Sequence, residues 1–367
     1  MLTTVHRVFD NRIFYKECKT LVNEGFEVTL IAQHTRNESI SGVKIVPLPK
    51  LKNKFHRMSR LVYLTFFLAL KEKADVYHFH DPELITIGAL LRIFSRKYII
   101  YDVHEDVPSQ ILYKEWIGNI FTRKFVSFLY FILQSISFLF FHFLIAATPE
   151  ITKKLPRRKT ITLCNFPILE ILNNNIRHTQ KNHYKKPKAV IIYSGGLSRV
   201  RGIKEIIKAM EFVQNKAELW LLGPWEEEQF RLECESIDGW KRTKYIGFVK
   251  PDQVFNSIEK SDIGLVNFLP LPNHMMSMPN KPFEYMACGL PMVMSDFPYW
   301  KKLFDGCALF VNPEDPRDIA EKIVYLLNNR DLCKKLGKEG RRLVEEKYNW
   351  ELESKKLTDL YSKLSNP

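Results

Sequence analysis

Short apolar runs alternate along the chain with segments whose apolar residues recur at helical spacing. In the first half, the predicted strands are residues 26–32, 44–47, 75–79, 98–103 and 142–147, and the predicted helices are 13–24, 56–72, 83–95 and about 114–139. The alternation then restarts, with strands at 188–193, 218–222, 243–246, 262–266, 291–294 and 307–311. Helices are predicted at 202–214, 226–236, 251–259, 281–288 and 316–328, and as a pair over 331–363. This alternation predicts parallel, doubly wound sheets.

The two series of elements predict two domains, which the length of 367 residues also favours. We expect the first domain over residues 1–170 and the second over 188–348. Residues 171–187 are polar and without periodicity, which is typical of a linker. Residues 349–367 are predicted to form a C-terminal helix that packs back on the first domain.

The start of the first domain does not look like a full strand. The chain opens "MLTTVH", in which only Met1 and Leu2 precede the loop-like Thr3 and Thr4. We therefore expect either a very short first strand or a start residue downstream of the natural one.

Residues 125–148 are long and apolar enough to suggest a membrane-spanning helix. Ser127, Tyr130, Gln134 and Ser137, however, recur at helical spacing and form one uncharged polar stripe. The end of this stretch, "FHFLIAAT", is typical of a strand that ends in a loop. The pattern favours a buried or surface-lying helix followed by a strand.

The charge distribution is strongly basic, with a formal net charge of +14. No acid lies between Glu38 and Glu72, a stretch rich in lysine and arginine. Such a surface favours phosphate-bearing partners, namely nucleotides, nucleic acid or anionic lipid. Nucleic acid is disfavoured because the known binding fingerprints are absent. The six cysteines are scattered without a C-x-x-C pair, and no signal peptide precedes them, so we expect reduced thiols in a cytoplasmic protein.

The segment "AVIIYSGGLSRVRGIKEIIKAM" has the features of a phosphate-binding turn. A predicted strand leads to Gly195 and Gly196, and a basic loop with Arg199 and Arg201 then leads to a helix. Glycine lets the backbone approach a phosphate closely, and a helix N-terminus offers free N–H groups. A solvated tight turn is the alternative. Neither the Walker A pattern nor the G-x-G-x-x-G fingerprint is present, which argues against an ATPase and an NAD enzyme.

The motifs of the second half occur in a recognisable order. They are "YSGGLSRVRGIKEIIKAM", "LWLLGP", "YIGFVKPDQVFNSIEKSDIGLV", "MPNKPFEYMACGLPMVMSD", "NPEDPRDIAEKI" and "YNWELESKKLTDLY". Over residues 189–365 the chain resembles the family-4 retaining glycosyltransferases of bacterial surface-polysaccharide type. The first half resembles them less sharply, through "HRVFDNRIFYKE", "VYHFHDPELI" and "YDVHED". The resemblance implies the α/β GT-B fold, in which two doubly wound Rossmann-like domains enclose a cleft.

The resemblance also implies which residues bind the nucleotide-sugar donor. Arg199, Arg201 and Lys281 are expected to hold the diphosphate, and Glu284, the second glutamate of the E-x7-E motif, to hold the ribose. The segment 280–289 is predicted to be a short helix with Asn280 as N-cap and Gly289 at its end. The donor-binding residues expected from these motifs are Gly195, Gly196, Arg199, Gly223, Phe248, Val249, Asn280 and Glu284. For Phe248, core packing is the alternative.

The sequence departs from the family pattern at two positions. Met276 occupies the place of the first glutamate of E-x7-E, which often contacts hydroxyl groups of the donor sugar. Gly196 replaces the arginine of the common "GRL" motif. We expect the sugar specificity, rather than the activity itself, to depend on Met276.

In the first domain, the residues that follow predicted strands are the candidates. The resemblance implies that His104 faces the donor sugar, so His104, Arg201 and Lys281 are the catalytic candidates. His6, Asp10 and Arg12 are expected on the acceptor side, with a local Asp10–Arg12 salt bridge as the alternative. His78, His80 and Asp81 could form a metal site with His104, but a hydrogen-bonded network is favoured. No metal or other cofactor is expected.

Two apolar helices point to a membrane. Residues 49–71 run from a basic segment, with Lys50, Lys52, Lys54, Arg57 and Arg60, into an apolar helix. Together with the helix at 125–139, this segment favours a peripheral position on an anionic inner membrane surface. A solvated loop and a core helix are the alternative.

The function expected from the sequence is transfer of a sugar, with retention, from a nucleotide-sugar to a glycan or lipid-linked acceptor in surface polysaccharide biosynthesis. One alternative is a non-catalytic nucleotide-sugar-binding protein, which Met276 would favour. Another is a sugar-nucleotide epimerase or a phosphorylase on the same fold.

Overall fold

The computed structural model describes residues 1–50, 57–170, 188–249 and 251–365. The chain divides into two compact units. The first comprises Met1–Asn165 and Glu351–Pro367, and the second comprises Phe166–Trp350. The segment 171–187, predicted to be a linker, lies outside the described residues, as do Lys52 and Lys54 of the basic segment.

The first unit is built on an eight-stranded sheet. Its strands are β1 (Leu2–Arg7), β2 (Val28–Gln33), β3 (Glu38–Ile40), β4 (Val43–Leu48), β5 (Val76–Phe79), β6 (Tyr98–Val103), β7 (Phe143–Ala146) and β8 (Thr160–Thr162). The order across the sheet is β3-β4-β2-β1-β5-β6-β7-β8. All neighbours are parallel except β3 and β4 at the edge.

Helices connect these strands. A π-helical segment, Ile13–Cys18, leads into α1 (Lys19–Asn23), and the next helices are α2 (Val62–Glu72), α3 (Ile85–Ser95), α4 (Val107–Ile111), α5 (Ile120–Phe138) and α6 (Pro149–Thr152). None of the helices among the described residues combines the length and apolar character needed to cross a membrane.

The first strand corrects the expectation from the sequence. Residues Leu2–Arg7 form a six-residue strand, and Thr3 and Thr4 are fully buried within it. Threonine is β-branched and suits a strand. The Thr3 hydroxyl donates to Oδ2 of Asp81 over 2.8 Å, which satisfies a polar group that would otherwise be costly to bury. The loop-like appearance of these threonines was therefore misleading.

The second unit is built on a six-stranded, all-parallel sheet. Its strands are β9 (Ala189–Ser194), β10 (Ala217–Leu222), β11 (Thr243–Gly247), β12 (Ile263–Val266), β13 (Met292–Ser295) and β14 (Ala308–Val311), in the order β11-β10-β9-β12-β13-β14. Its helices are α7 (Ile203–Val213), α8 (Glu228–Glu235), α9 (Pro251–Glu259), α10 (Pro272–Met275), α11 (Asn280–Ala287), α12 (Pro298–Leu303), α13 (Pro316–Asn328) and α14 (Arg330–Glu346). The last helix, α15 (Trp350–Ser365), is grouped with the first unit from Glu351 onward.

Each sheet has a point at which the strand order reverses. In the first sheet it lies between β1 and β5, and in the second between β9 and β12. Loops that leave two adjacent strands in opposite directions open a crevice at their carboxyl ends, where ligands of such sheets bind. The segments that follow these strands are therefore the places to look for a site.

Helix α11 is held from its C-terminal end by α14. Gly289, which follows α11, has a left-handed φ of +65°. A Cβ added at Gly337 of α14 would lie 2.1 Å from the carbonyl oxygen of Gly289, so only glycine allows this approach. The two helices meet backbone to backbone at this point.

Candidate functional site

The turn after β9 is shaped by glycines. Gly195 has a φ of +130°, and its backbone N–H donates to the carbonyl of Leu222 over 2.7 Å. Gly223, at the end of β10, has a φ of +133°, and a Cβ there would lie 2.0 Å from the carbonyl oxygen of Gly195. The two turns are thus in contact through their backbones. A Cβ at Gly195 would also lie 2.3 Å from Cε of Lys281, so the glycine makes room for that lysine.

Lys281, in the first turn of α11, is a buried lysine. Its Nζ donates to the hydroxyl of Tyr193 over 2.7 Å and lies 4.1 Å from the centre of the Tyr193 ring. Burial, reinforced by the positive charge of Arg201, holds the pKa of Lys281 well below its usual value. Glu284 and Glu226 act in the opposite sense but do not outweigh burial, so a further negative charge beside Lys281 would favour its ammonium form.

Arg201 is the second cation of this group. Its guanidinium carbon lies 5.5 Å from the ring centre of Phe268, and a Cβ at Gly195 would be 3.4 Å from its Nη1. Within the described ranges, neither Arg201 nor Lys281 has a carboxylate at ion-pair distance. The structure therefore brings the side chains of Arg201 and Lys281 together beside Gly195.

Glu284 lies one turn after Lys281 on the same helix and is half-buried. Its negative charge acts to raise the pKa of Lys281, which indicates that the two side chains are close. Asn280 is exposed at the first position of α11, but it is not the N-cap. Pro279 takes that position and makes no side-chain capping hydrogen bond, because the helix starts one residue earlier than expected.

Phe248 and Val249 follow β11, beside Gly223. The side chain of Phe248 is 68% exposed, so it does not pack in the core, and Val249 is half-buried. The backbone N–H of Gly223 donates to the carbonyl of Gly247 over 2.7 Å, which joins this strand end to the glycine turns. Met276, in contrast, is 49% exposed at the end of α10.

Arg199 is not part of this group of cations, contrary to expectation. Its guanidinium makes two hydrogen bonds to Glu233 of α8, at 2.7 and 2.6 Å, and lies 4.6 Å from the ring centre of Phe230. Arg199 and Arg201 lie two residues apart in a 3₁₀ turn, Arg199–Arg201, so their side chains leave in different directions. Arg199 is thus neutralised within the protein.

Arg12 of the first unit is likewise a structural cation. It is buried, and it forms two hydrogen bonds to Asp102, Nε–Oδ2 at 2.7 Å and Nη2–Oδ1 at 3.0 Å. A third bond goes to the carbonyl of Leu163. The expected contact with an acceptor is wrong for Arg12, because its guanidinium is saturated inside the unit. The alternative salt bridge with Asp10 is also absent, since Asp10 accepts only the backbone N–H of Arg12 among these atoms.

A buried acidic and imidazole cluster surrounds this pair. Glu17, His78, His80 and Asp102 each offer an atom within 4.8 Å of the others, a donor set that a metal ion such as zinc could use. Nε of Arg12, however, lies 3.0 Å from Oε1 of Glu17 as well as 2.7 Å from Asp102, so a cation already contacts both carboxylates. His78 bonds the hydroxyl of Tyr361 through Nδ1. Both carboxyl oxygens of Glu17 and the Nε2 atoms of His78 and His80 are buried without a hydrogen-bond partner among the residues that the structure describes. Asp81, which anchors Thr3, lies outside the four-residue set.

The protonation states of this cluster follow from burial. Burial and the neighbouring Asp102 raise the pKa of Glu17 well above its usual value, which disfavours the ionised carboxylate. Burial lowers the pKa of His80 to about 4, so the imidazole is neutral. For Asp102, burial acts in the opposite sense, but Arg12 and His104 outweigh it and hold its pKa well below the usual range.

His104 and His6 lie at the carboxyl ends of the sheet, beside this cluster. Nε2 of His104 bonds Oδ2 of Asp102 at 3.0 Å, and the two imidazole centres are 5.4 Å apart. Asp102 thus fixes the tautomer of His104 and leaves its Nδ1 without a hydrogen-bond partner in the described part of the chain. His6 contacts Asp10 at 3.4 Å and Asp81 at 3.5 Å. Burial would lower the pKa of His6, but these carboxylates outweigh it, so the pKa is raised.

Sequence reasoning missed two residues that support the site. Tyr193, whose hydroxyl accepts from Lys281 and donates to the carbonyl of Gly196, lies two residues before Gly195. Asp102 is the second missed residue. It could have been identified from the sequence, because it is an acid inside the apolar run "YIIYDV". A carboxylate within a buried strand must have a partner, and this one has Arg12 and His104.

Comparison with known protein families finds a match for most of the second unit. Residues 174–343 match the model of the family described as glycosyl transferases group 1, which supports that family for this part of the chain. Spore coat protein SA of Bacillus subtilis (strain 168) is 22% identical over 189 residues, or 48% of this chain and 49% of that protein. The capsular polysaccharide biosynthesis glycosyltransferase CapM of Staphylococcus aureus is 24% identical over 228 residues, 58% of each chain. The chain thus spans about half the length of these curated relatives.

Solved structures show the fold over nearly the whole chain. Anabaena Alr3699/HepE in complex with UDP-glucose superposes with a TM-score of 0.75 at 12% identity, covering 99% of this chain and 98% of that one. Sucrose-phosphate synthase from Thermosynechococcus elongatus gives 0.74 at 16% identity, covering 96% and 92%. The chain has the α/β fold of GT-B glycosyltransferases, with two sheets of mostly parallel strands.

Proposed function

We propose that the protein is a retaining glycosyltransferase that transfers a sugar from a nucleotide-sugar to a glycan or lipid-linked acceptor in surface polysaccharide biosynthesis. The observation that carries this proposal is the pair of cations at the glycine turn after β9, the buried Lys281 and the half-buried Arg201. Lys281 and Arg201 are held together at the carboxyl ends of β9 and β12 without a carboxylate at ion-pair distance among the described residues. A diphosphate supplies the negative charge that this group lacks.

The neighbouring residues extend the fit to a nucleoside diphosphate. Glu284, one turn from Lys281, can accept hydrogen bonds from both hydroxyls of a ribose. Phe248 offers an exposed ring for stacking on the base. The order along the site would then be base, ribose and diphosphate, running from the end of β11 to the start of α11.

The similar proteins support a uridine nucleotide as the first donor to test. The Anabaena structural neighbour was determined with UDP-glucose, and the Staphylococcus aureus relative is named for capsular polysaccharide biosynthesis. We extend the donor class and the pathway class from these names to the present chain. Met276 replaces the glutamate that often contacts the sugar, so the sugar itself need not be glucose.

Chemically, the cations act on the leaving group. The bond between the anomeric carbon and the diphosphate oxygen breaks while a bond to the acceptor oxygen forms on the same face of the sugar. The departing diphosphate takes the proton of the acceptor hydroxyl, and Arg201 and Lys281 stabilise its growing charge. These cations take the role of a metal ion, so we expect transfer to be insensitive to EDTA.

We assign the acceptor side to the first unit. His6, whose pKa is raised by Asp10 and Asp81, lies beside these carboxylates on the acceptor side, and His104 offers its Nδ1 to the donor sugar. Both groups can bond sugar hydroxyls. Asp102 acts through His104 as a positioning residue.

Calorimetric titration with UDP tests the donor site. We expect Glu284→Ala to weaken UDP binding at least tenfold without unfolding the protein, because the ribose loses its acceptor. Glu321→Ala, which removes an exposed glutamate from α13, is the matched control and should leave the affinity unchanged. Equal affinities of wild type and Glu284→Ala would remove Glu284 from the site.

Turnover separates the proposal from its alternatives. Nucleotide-sugars that raise the melting temperature are incubated with candidate lipid-linked acceptors, and the anomeric configuration of the product is read by NMR. A transferred sugar with retained configuration supports the proposal. Binding with neither transfer nor donor hydrolysis would favour a non-catalytic binding protein, and an altered free sugar-nucleotide would indicate an epimerase.

A further inference from the structure

Helix α5 (Ile120–Phe138) has its amphipathic character reversed. Its polar stripe faces the protein, where Ser127 donates to the carbonyl of Pro108 over 2.7 Å and Tyr130 donates to that of Pro82 over 3.5 Å. Its outward face is apolar, with exposed side chains Phe121, Phe125, Phe128, Leu129, Phe131, Ile132, Leu133 and Ile136. A helix packed on a protein in water has the opposite arrangement. The outward face of α5 is therefore suited to an apolar environment.

The exposure of these side chains is large. Phe121 is 78% exposed, and Leu139, which directly follows the helix, is 80% exposed. Single exposed apolar residues are normal, but a contiguous set on a soluble protein marks an interaction surface. Within the described residues, no part of the first unit covers this face.

Two neighbouring helices extend the surface. Helix α5 packs beside α3, and α3 packs beside α2. Helix α3 exposes Ile93 and Phe94, and α2 exposes Tyr63 and Phe67. The rings of Phe66 and Phe94 are 5.8 Å apart, which joins α2 to α3. We call the exposed apolar residues of α2, α3 and α5 the aromatic face.

The charges around the aromatic face are mostly positive. The three helices carry Lys71, Arg92, Arg123 and Lys124 but only one acid, Glu72, which pairs with Lys44 at 2.7 Å. Lys71 and Lys124 are exposed. Apolar side chains bordered by basic residues match the acyl chains and phosphate groups of an anionic leaflet. A helix of this kind lies in the interface, in agreement with the absence of a spanning helix among the described residues.

We propose that the aromatic face is a membrane-docking surface, which inserts the phenylalanine side chains of α5 into the boundary between headgroups and acyl chains of an anionic bilayer. This surface gives the first unit a fixed orientation on the membrane. The proposal rests on exposure and charge in the first unit alone and is independent of the proposed sugar transfer.

Sedimentation of the full-length protein with vesicles tests the docking surface. Vesicles of phosphatidylcholine with phosphatidylglycerol are compared with vesicles of phosphatidylcholine alone. We expect the double variant Phe125→Gln/Phe128→Gln to partition at least tenfold less strongly into both vesicle types than the wild type. Both side chains are exposed, so the fold should tolerate the change, and circular dichroism checks this.

Two further variants sharpen the result. The control Leu232→Gln/Tyr325→Gln removes two exposed apolar side chains from the second unit and should bind like the wild type. The variant Lys71→Glu/Lys124→Glu should lose binding to the anionic vesicles only, and added salt should have the same effect.

Three outcomes would overturn the proposal. The first is a wild type that sediments with neither vesicle type, and the second is a Phe125/Phe128 variant that binds as well as the wild type. The third is a wild-type dimer, detected by light scattering, that the Phe125/Phe128 variant converts to monomers while vesicle binding is absent. In that case a second copy of the chain covers the aromatic face.

Discussion

The two units each gather charged side chains where the strand order of a sheet reverses, but they balance the charge differently. In the first unit, Arg12 contacts Asp102 and Glu17, and burial lowers the pKa of the neighbouring His80 to about 4. In the second unit, Lys281 and Arg201 lie together while burial opposes the charge on Lys281. The first arrangement pairs its cation within the protein, although the carboxyl of Glu17 and the Nε2 atoms of His78 and His80 lack hydrogen-bond partners in the described ranges. The second has no carboxylate at ion-pair distance among the described residues, and we expect it to gain by binding an anion. A buried charge that is already balanced indicates structure, and one that is not indicates a ligand.

The largest effect is expected from breaking the balanced pair. Asp102→Asn should destabilise the protein by about 3–5 kcal/mol, because Arg12 is left buried without its counter-charge. Urea denaturation followed by tryptophan fluorescence measures the loss. The control Asp75→Asn removes an exposed partner of Lys97 and should cost less than ~1 kcal/mol. Similar losses for the two variants would contradict a balanced, buried pair.

Removal of Lys281, the buried cation of the second unit, should not destabilise the protein. Lys281→Met removes a charge that is costly to bury, so the melting temperature should stay the same or rise. UDP affinity should fall roughly 10- to 100-fold, since hydrogen bonds to charged groups contribute about 1.5–3 kcal/mol. Thermal unfolding and calorimetry measure the two effects, with the exposed Lys301→Met as control. A variant that loses stability but keeps its UDP affinity would make Lys281 a structural residue.

The proton uptake that accompanies UDP binding tests, in the wild-type protein, whether Lys281 lacks a counter-charge. The pKa of Lys281 lies well below its usual value in the free protein, and a bound diphosphate should raise it. At mildly alkaline pH, UDP binding should therefore take up as much as one proton. Calorimetry in buffers of different ionisation enthalpy measures this uptake, which should vanish in Lys281→Met. Identical heats in all buffers would contradict the prediction.

The smallest effect should come from Glu17, the acid whose pKa burial raises. Glu17→Gln keeps the shape of the side chain and removes only a charged form that burial disfavours, so near neutral pH it should change stability by less than ~1 kcal/mol. The raised pKa of Glu17 means that its contribution is complete below the usual value of 4.5 and is lost as pH rises through the folded-state pKa. Stability of the wild type should thus decline relative to Glu17→Gln as pH rises. A variant destabilised as strongly as Asp102→Asn would mean that Glu17 is ionised.

The sequence predicted the sheet strands well where they are apolar. Runs such as residues 98–103 and 218–222 correspond to β6 and β10 because a parallel strand is buried on both faces. The strand Leu2–Arg7 was missed because its two threonines are satisfied by Asp81, nearly eighty residues along the chain. The pattern of apolar and polar residues around Thr3 and Thr4 gives no indication of a partner so distant in the sequence.

In the candidate site, too, contacts between residues distant in sequence could not be predicted. The glycine turn and Lys281 could be identified from local motifs, but Arg199 and Arg201 look alike in the sequence. Only the position of Glu233 distinguishes them, because it neutralises Arg199. Likewise, the polar stripe of α5 could be identified from its spacing, whereas its inward direction depends on the carbonyls of Pro82 and Pro108.

The contact between Gly337 and Gly289 has a consequence for how substitutions can move the side chains of α11. Helix α11 has only eight residues, with Lys281 and Glu284 near one end and the glycine contact just beyond the other. A methyl group at position 337 would push the whole short helix along its neighbour and move both side chains together. If α11 binds the nucleotide as proposed, Gly337→Ala should therefore change UDP affinity without touching the ligand. Variants selected for altered donor use should be sought on α14 as well as around the turn itself.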